Sequence, residues 1–371
     1  MDIFVYKNPN EPTLMEQGEI LNNIDSKMWI ERYRDAGEFT LIAPISSQIR
    51  VKCPIGSFIS HTNTREIMVV ENHEINDDST SEAIVTVTGR SLETVLENRI
   101  AGSNKTFPVS GQVVDLTLAA NYTQQQAVTL INTYVGTAAL IDDDDAIPHI
   151  IALTDMPNQG SNEARTFKRD TVYKLLKDLL VIDNLGIKVM RYGVGSTYDR
   201  TWTQLVIHQG KSIDSSKAVF SIAEGGIETA DYLYSNKNVK NAALVTSKWF
   251  ELTVKNWNGT YNGYARRMLY IDASDLDQQY TTQPTGSLAT SIQQMLTIRG
   301  QSAIQAHNAK TVLNPKALDK AHIPVFRRDY DVGDVLFVGP NMMRVSEYVE
   351  IEDDKGDAGY PTFTDPGDLN V

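Results

Sequence analysis

The chain has 371 residues, of which 41% are hydrophobic and 22% are charged. This composition is typical of a globular protein and excludes a disordered or collagen-like chain, and the length predicts two or three domains. The net charge of −13 disfavours specific binding to DNA and to anionic lipid, because both would be repelled at long range.

Cysteine content and the N-terminus narrow the possible classes further. The single cysteine, Cys53, excludes an internal disulfide and a multi-cysteine metal site, and its apolar surroundings predict a small core side chain. The first residues lack the basic start and apolar stretch of a signal peptide. No run of about 18 apolar residues occurs, so no membrane-spanning segment is predicted.

Residues 1–90 are typical of short antiparallel strands. Ile3–Tyr6 is rich in β-forming residues. The segments 29–33 and 38–42 flank Asp35-Ala36-Gly37, which predicts a hairpin with Gly37 at positive φ. Further strands are predicted at 57–60, 66–74 and 83–88, and their even spacing indicates a small barrel or sandwich.

Helices are predicted next, over 91–100, from Thr123 onwards and over 170–184. Ser91 is a plausible N-cap, and Thr123 and Gln126 have the spacing of a capping box. The 170–184 helix has the clearest period, and Gly186 is expected to close it. Its apolar positions are Val172, Leu175, Leu176, Leu179 and Leu180.

Strands dominate the rest of the chain around one long helix. Paired strands are predicted at 187–192 and 202–208, and others at 219–222, 242–247, 250–255, 267–271, 335–338, 343–351 and 362–363. The helix is expected over 287–308, bent or weakened at Gly300, with Leu288, Ile292, Met295, Leu296 and Ala303 inward. This order suggests that a second β domain is assembled from two pieces around a helical insertion.

No catalytic motif is complete. The six histidines, at 61, 73, 149, 208, 307 and 322, contain no pair at metal-ligand spacing, so structural roles are predicted. Gly210-Lys211-Ser212 lacks the first glycine of a phosphate loop and is interpreted as a turn between strands. Gly193 and Gly195 do not open a helix, unlike the glycines of a dinucleotide site.

Acidic and glycosylation patterns are equally incomplete. The four aspartates at 142–145 lack the spaced ligands and central glycine of a calcium loop, so a solvated loop is predicted. The glycosylation triplets at Asn104, Asn121 and Asn258 are interpreted as chance matches. Because the chain has 47 acidic residues, the sequence does not exclude a pair of carboxylates of the kind that glycosidases use, although no spacing supports one.

Three sets of segments, taken in order, carry a family resemblance. They are 24–41, with the sequence Trp29-Ile30-Glu31-Arg32-Tyr33 through Leu41; 85–93, with Gly89-Arg90-Ser91; and a third set at 240–245, 266–272 and 330–335. Together they resemble the baseplate-hub, or tail-associated, proteins of long-tailed bacteriophages with flexible tails, which are similar to the hub of contractile-tail phages. Gly89 is expected to turn the chain from strand to helix, Arg90 to pair with a carboxylate, and Gly333 to position the strand at 335–338.

The resemblance implies an α+β fold with two tube-protein-like antiparallel β-barrels and a helix-containing α+β portion between them. The expected domains are a first barrel over 1–100, a middle domain of 101–226 with 271–320, and a second barrel of 227–270 with 321–371. Many relatives carry a C-terminal wall-cleaving or receptor-binding extension. This chain ends at Val371, so those activities are expected in separate subunits.

The implied function is that of a structural virion protein at the tail tip, made in the host cytoplasm. Three copies would form a hub under the distal tail ring, beside other tail-tip or receptor-binding subunits. The hub would continue the tail tube, adapt six-fold to three-fold symmetry, and close or gate a channel through which DNA passes without specific binding. No catalytic, cofactor-binding or metal-binding residue is predicted.

Two other functions stay open at this point. One is a peptidoglycan hydrolase of the tail tip, as in relatives with lysin activity. The other is a carbohydrate-binding module for host recognition, which Trp257, Tyr261 and Tyr264 beside the turn at Asn258-Gly259 would serve.

Overall fold

The computed structural model describes residues 1–6, 19–77, 83–101, 116–136, 150–154, 158–192, 202–214, 218–221, 227–235, 239–255, 266–307, 310–317, 324–364 and 366. Within these ranges strands outnumber helices, and this mixed, sheet-rich content agrees with the α+β class. None of the helices in these ranges is long and apolar enough to cross a membrane.

The N-terminal unit is an antiparallel arrangement of seven strands. The strands are β1 (Ile3–Tyr6), β2 (Glu19–Leu21), β3 (Ser26–Arg32), β4 (Glu38–Pro44), β5 (Phe58–His61), β6 (Met68–Asn76) and β7 (Ile84–Ser91), with a short helix α1 (Ile49–Lys52) and 3-10 helices at Ile45–Ser47 and Leu92–Asn98. In β4 every second side chain is buried, which directs Phe39, Leu41 and Ala43 into a core around Trp29.

Two glycines of this unit have a different role from the predicted one. Gly37 lies in the predicted hairpin between β3 and β4 but does not adopt positive φ. A Cβ there would lie 2.4 Å from the Ile30 carbonyl oxygen, so close packing explains the glycine. Gly89 lies inside β7 and not at the predicted turn. A Cβ there would lie 1.8 Å from the Val69 oxygen of β6, so close packing explains this glycine too. Arg90 pairs with Glu71 and Glu97, as predicted for a carboxylate partner.

The central unit contains two small sheets and two helices. Its elements are β8 (Leu116–Tyr122), α2 (Thr123–Tyr134), β9 (Ile150–Thr154), β10 (Asn162–Phe167), α3 (Val172–Ile182), β11 (Gly186–Tyr192) and β12 (Trp202–His208). β10 pairs with β8, and β12 pairs with both β11 and β9. The five predicted apolar residues of α3 are all buried, and the pairing of β11 with β12 is confirmed.

The ends of these helices differ from the predictions. The predicted capping box is wrong, because Tyr122 is the N-cap of α2 and Thr123 is its first residue. The Thr123 hydroxyl instead bonds to Asp183 and to the Ser161 carbonyl oxygen. Gly186 does not close α3: the chain turns at Asn184, with φ of 58°, and Gly186 begins β11. Ser91 is an N-cap in position, but its hydroxyl bonds to Glu93.

The remaining elements belong to two further units. They are β13 (Val219–Phe220), β14 (Ile227–Ser235), β15 (Ala242–Thr246), β16 (Glu251–Lys255), β17 (Met268–Asp272), a 3-10 helix at Ser274–Leu276, α4 (Gly286–Ala306), β18 (Lys310–Ala317), β19 (Val335–Val338), β20 (Asn341–Asp353) and β21 (Gly356–Thr364).

Strands β15, β16 and β17 form their own three-stranded sheet, which packs against α4. The predicted domain division placed most of these strands in the second barrel and β18 in the middle domain. The observed strand pairing differs from this division: β18 pairs with β14 and β21 and so belongs to the C-terminal sheet. Gly300 lets α4 approach the small sheet, since a Cβ would lie 2.5 Å from a Val254 methyl group.

The N-terminal and C-terminal strands form one continuous sheet. Its order is β14-β18-β21-β20-β3-β4-β7-β6-β5-β1-β2; in addition β19 pairs with β20, and β13 pairs with β19. β20 pairs with β19 through Arg344 and then, along the same edge, with β3 from Glu347 to Glu352. Over the described strands this sheet is an open path, and two separate closed barrels are not confirmed.

Candidate functional site

Tyr33 lies where the N-terminal, central and C-terminal units meet, just after β3. Its side chain is 3% exposed. The hydroxyl oxygen lies 2.8 Å from the main-chain oxygen of Asn184 and 2.9 Å from that of Gln209. The aromatic ring of one unit is therefore fixed by the backbone that leads into β11 and out of β12, at one end of this strand pair.

Two glycines make room for the Tyr33 ring. A Cβ on Gly186 would lie 2.2 Å from this ring, and a Cβ on Gly333 would lie 2.5 Å from it. Gly333 also has φ of +95°, which an L side chain rarely adopts. The central unit and the C-terminal unit thus both approach the Cδ2–Cε2 edge of the same ring through bare backbone.

The main chain of Tyr33 joins both neighbouring units as well. Its amide donates to the Ser346 oxygen of β20 at 3.0 Å. Its carbonyl oxygen accepts from the Ile187 amide of β11 at 3.1 Å. All of the polar groups of Tyr33 are therefore used between units.

Arg344 of β20 lies against Tyr33 and is 4% exposed. Its guanidinium carbon is 4.7 Å from the centre of the Tyr33 ring, a cation–π distance. One terminal nitrogen donates to the carbonyl oxygens of Gln209 and Gly333, at 2.8 and 2.5 Å. Arg344 therefore bonds the C-terminal unit to the end of β12.

An ion pair crosses the same junction. Lys188 Nζ of β11 lies 2.5 Å from an Asp331 carboxylate oxygen. Burial opposes both charges, but their attraction outweighs it, raising the pKa of Lys188 and lowering that of Asp331. Burial, with repulsion from Lys188, lowers the pKa of the neighbouring His208 to about 3, so this imidazole is neutral.

Arg327 joins the C-terminal unit to β3 and β20. Its nitrogens lie 2.7 Å from a Glu31 oxygen and 2.8 Å from a Glu350 oxygen. Burial disfavours the charge, but the two carboxylates outweigh it and raise the pKa of Arg327. Its backbone has φ of 63°, a left-handed conformation that costs a residue of this type about 1 kcal/mol. The ion pairs to Glu31 of β3 and Glu350 of β20 hold Arg327 in this conformation.

Two carboxyl groups near this network are buried without a cationic partner at bonding distance among the residues described. Glu66 is 7% exposed, and burial together with the nearby Glu31 and Glu93 raises its pKa well above the usual range. Glu93 is 1% exposed, and burial raises its pKa to about 7 against the hydrogen bond from Ser91. Burial therefore favours the protonated, neutral form of both carboxyl groups.

The predicted histidines are spread over separate parts of the fold. His61 lies with its Nε2 3.0 Å from Glu350, and His73 bonds through Nε2 to the Cys53 oxygen at 2.8 Å. His208 lies beside Tyr33, and His307 bonds to the Ala303 oxygen at the end of α4. His149 and His322 lie outside the described residues. In the described part of the chain, no cluster of three His, Cys, Asp or Glu residues could hold a metal ion.

Other residues that the sequence analysis singled out lie in the core or in connections between strands. Cys53 is buried, which raises the pKa of its thiol to about 12, and the core role is confirmed. Gly210 has φ of +75° and lies against the Gly333 backbone, and the Lys211 amide donates to Asp334. This connection leads from β12 to β13, as predicted, and contacts the Gly333 loop. The residues Gly193, Gly195, Trp257, Tyr261, Tyr264, Asn104, Asn258 and Asp142 to Asp145 lie outside the described residues.

Sequence reasoning missed the junction residues. Lys188, Arg327 and Arg344 belong to no recognised motif, and Tyr33 lies in the first of the segments that carry the family resemblance but was given no role of its own. The one sequence feature that could have drawn attention is a pair of acidic turns, Asp331 and Asp334, around Gly333.

The fold is that of phage tail proteins. The 43 kDa tail protein of prophage MuSo2 from Shewanella oneidensis is 13% identical, with a TM-score of 0.54, over 99% of this chain and 98% of that one. The tail protein from Neisseria meningitidis MC58 is 10% identical, with a TM-score of 0.53, over 99% of this chain and 98% of that one. No curated protein matches the sequence.

A match to a family model identifies the chain more narrowly than the fold does. The model of the Siphovirus ReqiPepy6 Gp37-like proteins matches residues 4–359, so the chain belongs to that family. By family and fold it is a phage tail protein and a component of the virion, and the resemblance found in the sequence is confirmed.

Proposed function

We propose that this chain is a structural subunit of the tail-tip hub, and that three copies form a ring which continues the tail tube. The observation that carries the proposal is the pairing of β3 with β20. It fixes the N-terminal and C-terminal β units side by side in one sheet. Three such chains supply six β units, which matches a six-fold tube to a three-fold tip.

In this arrangement each β unit takes the place of one tube-like barrel, and the distal tail ring and other tail-tip subunits are the neighbours. The buried junction at Tyr33 and Arg344 supports a subunit that acts as one rigid wedge. The net charge of −13 suits a channel that DNA passes without being bound, and closure of the ring would gate that channel.

The mass of the particle tests the proposal. Light scattering of the purified chain at micromolar concentration should give the mass of three chains, and particle images should show three-fold symmetry with six outer lobes. A chain that stays monomeric over the concentration range and does not join assembled tails contradicts the proposal.

The proposed role is not enzymatic, and family and fold are both consistent with it. A zymogram on purified peptidoglycan is the direct test, with a lysozyme lane as the positive control. Absence of clearing is expected. Clearing by the purified chain would instead support the hydrolase alternative and would leave the oligomeric result unaffected.

A further inference from the structure

A cavity of about 350 Å³ opens beside the junction of the three units. Its lining includes Arg32, Arg34 and Arg344, together with Tyr33, Asn184 and Glu347. Pockets of this size hold small ligands or single side chains. Three guanidinium groups around one small cavity are unusual in a chain with 34 basic and 47 acidic residues.

The acidic groups of the lining are already neutralised. Glu347 bonds to Arg32 Nε at 2.7 Å, and Arg32 also pairs with Glu38. Asp35 pairs with Lys177 of α3. These pairs leave Arg34 and Arg344 as the cations of the cavity with no carboxylate partner among the residues that the structure describes.

The hydrogen bonds of both arginines go to neutral carbonyl groups. Arg34 Nε donates to the Leu185 carbonyl oxygen at 3.1 Å, and Arg344 donates to the carbonyl oxygens of Gln209 and Gly333. Their guanidinium carbons lie 5.4 and 4.7 Å from the centre of the Tyr33 ring. Two positive charges therefore share one aromatic ring.

Each group also has a nitrogen without a hydrogen-bond partner in the described part of the chain. These atoms are Arg34 Nη2 and Arg344 Nε, and both are buried. A buried charged donor without an acceptor is destabilising. Burial lowers the pKa of Arg34, and the charge on Arg344 lowers it further. An anion between the two groups would supply the missing acceptors and reduce their repulsion.

We propose that this cavity binds a carboxylate group, which Arg34 and Arg344 hold beside Tyr33. The planar guanidinium groups match the two oxygens of a carboxylate. The net charge of −13 and the small volume disfavour a nucleic-acid phosphate backbone. The carboxylate belongs either to a small free acid or to an acidic side chain of a second copy of this chain.

Titration with malonate tests the site on the full chain. Isothermal titration should show saturable binding in the millimolar range, and Arg34→Gln should weaken it roughly tenfold. Arg50→Gln, which removes an exposed arginine on α1, is the matched control and should bind as the unchanged chain does. Equal binding by Arg34→Gln, or no saturable binding, overturns the proposal.

Two further measurements keep the proposal testable if a variant folds poorly. A crystal structure with malonate should place the anion between Arg34 and Arg344, and density elsewhere alone would contradict the proposal. Light scattering with and without malonate separates the two sources. Dissociation of an oligomer by malonate indicates a side chain of a second copy, whereas binding at constant mass indicates a free acid.

Discussion

At the scale of single residues, the junction depends on charges that are largely shielded from bulk water. Arg327 is the clearest example, because its side chain pairs with two carboxylates on neighbouring strands. Its backbone adopts a left-handed conformation at this position. Such a network contributes little when complete, since desolvation offsets attraction. It becomes expensive when one member is lost, because the remaining charges stay buried and unpaired.

Arg327→Gln should therefore destabilise the protein by about 3–5 kcal/mol, since Glu31 and Glu350 lose their shared partner. Urea unfolding followed by circular dichroism measures the loss. Arg328→Gln is the matched control, because this side chain is exposed and should show no measurable change. Adding Glu31→Gln to Arg327→Gln should recover part of the stability. A loss equal to that of the control would show that the network is not coupled.

Glu93 gives the fold a dependence on pH. Its pKa is about 7 in the folded chain and near 4.5 in the unfolded one. Between these values the folded state binds more protons than the unfolded state, so stability falls as the pH rises from about 4.5 to about 7. Below about pH 4.5 the Glu93 carboxyl group is protonated in both states, so its burial carries no cost of ionisation.

Glu93→Gln should accordingly stabilise the protein by about 1–3 kcal/mol near pH 8 and by little near pH 4. The amide keeps an oxygen that can accept the Ser91 hydrogen bond without carrying a charge. Urea unfolding at the two pH values is the measurement, and Glu74→Gln, on an exposed acid, is the control. A gain of the same size at both pH values would contradict a buried, protonated carboxyl group.

At the scale of elements, close approach of backbones decides how the units fit together. Gly186 begins β11 and Gly333 precedes β19, and both face the Tyr33 ring. A side chain at either position would displace this ring or separate two units. The neighbouring Gly210 shows the same principle, because its backbone lies against that of Gly333.

Gly333→Ala and Gly186→Ala should each cost about 1–3 kcal/mol or more, because the added methyl group overlaps the Tyr33 ring. Gly56→Ala separates strain from overlap, since Gly56 also has positive φ but a Cβ added there would have no neighbouring atom within 4 Å. It should cost only about 1 kcal/mol. Thermal unfolding of the three variants provides the comparison. Equal losses at Gly333 and Gly56 would assign the whole effect to backbone strain.

At the scale of the whole molecule, the β3–β20 pairing makes the two ends of the chain one structural body. β20 is 13 residues long and passes from β19 to β3 along one edge. The unit of α4 with β15, β16 and β17 has its own core and does not take part in that sheet.

The two terminal β units are therefore expected to unfold together. Native-state hydrogen exchange in increasing urea should give one common free energy for the amides of β3 and β20. The strands β15 and β16 serve as the internal comparison, because their core is separate. Exchange of β20 at a clearly lower free energy than β3 would show that the C-terminal unit opens independently.

The local elements can be predicted from the amino-acid sequence alone. The period of Val172, Leu175, Leu176, Leu179 and Leu180 specified α3, and the turn at Asp35-Ala36-Gly37 specified the β3–β4 hairpin. These features depend on neighbours within a few residues, which the sequence displays directly. The ordered segments also identified the family.

Long-range folding sets which strands share a sheet and which residues form the junction. Tyr33, Gly186 and Gly333 are separated by more than a hundred residues at each step, and nothing local links them. Gly37 and Gly89 were correctly marked as special, but the reason was wrong, because the limit is set by Ile30 and Val69 on neighbouring strands. Strand pairing and close packing are set by long-range contacts, and a local pattern does not contain them.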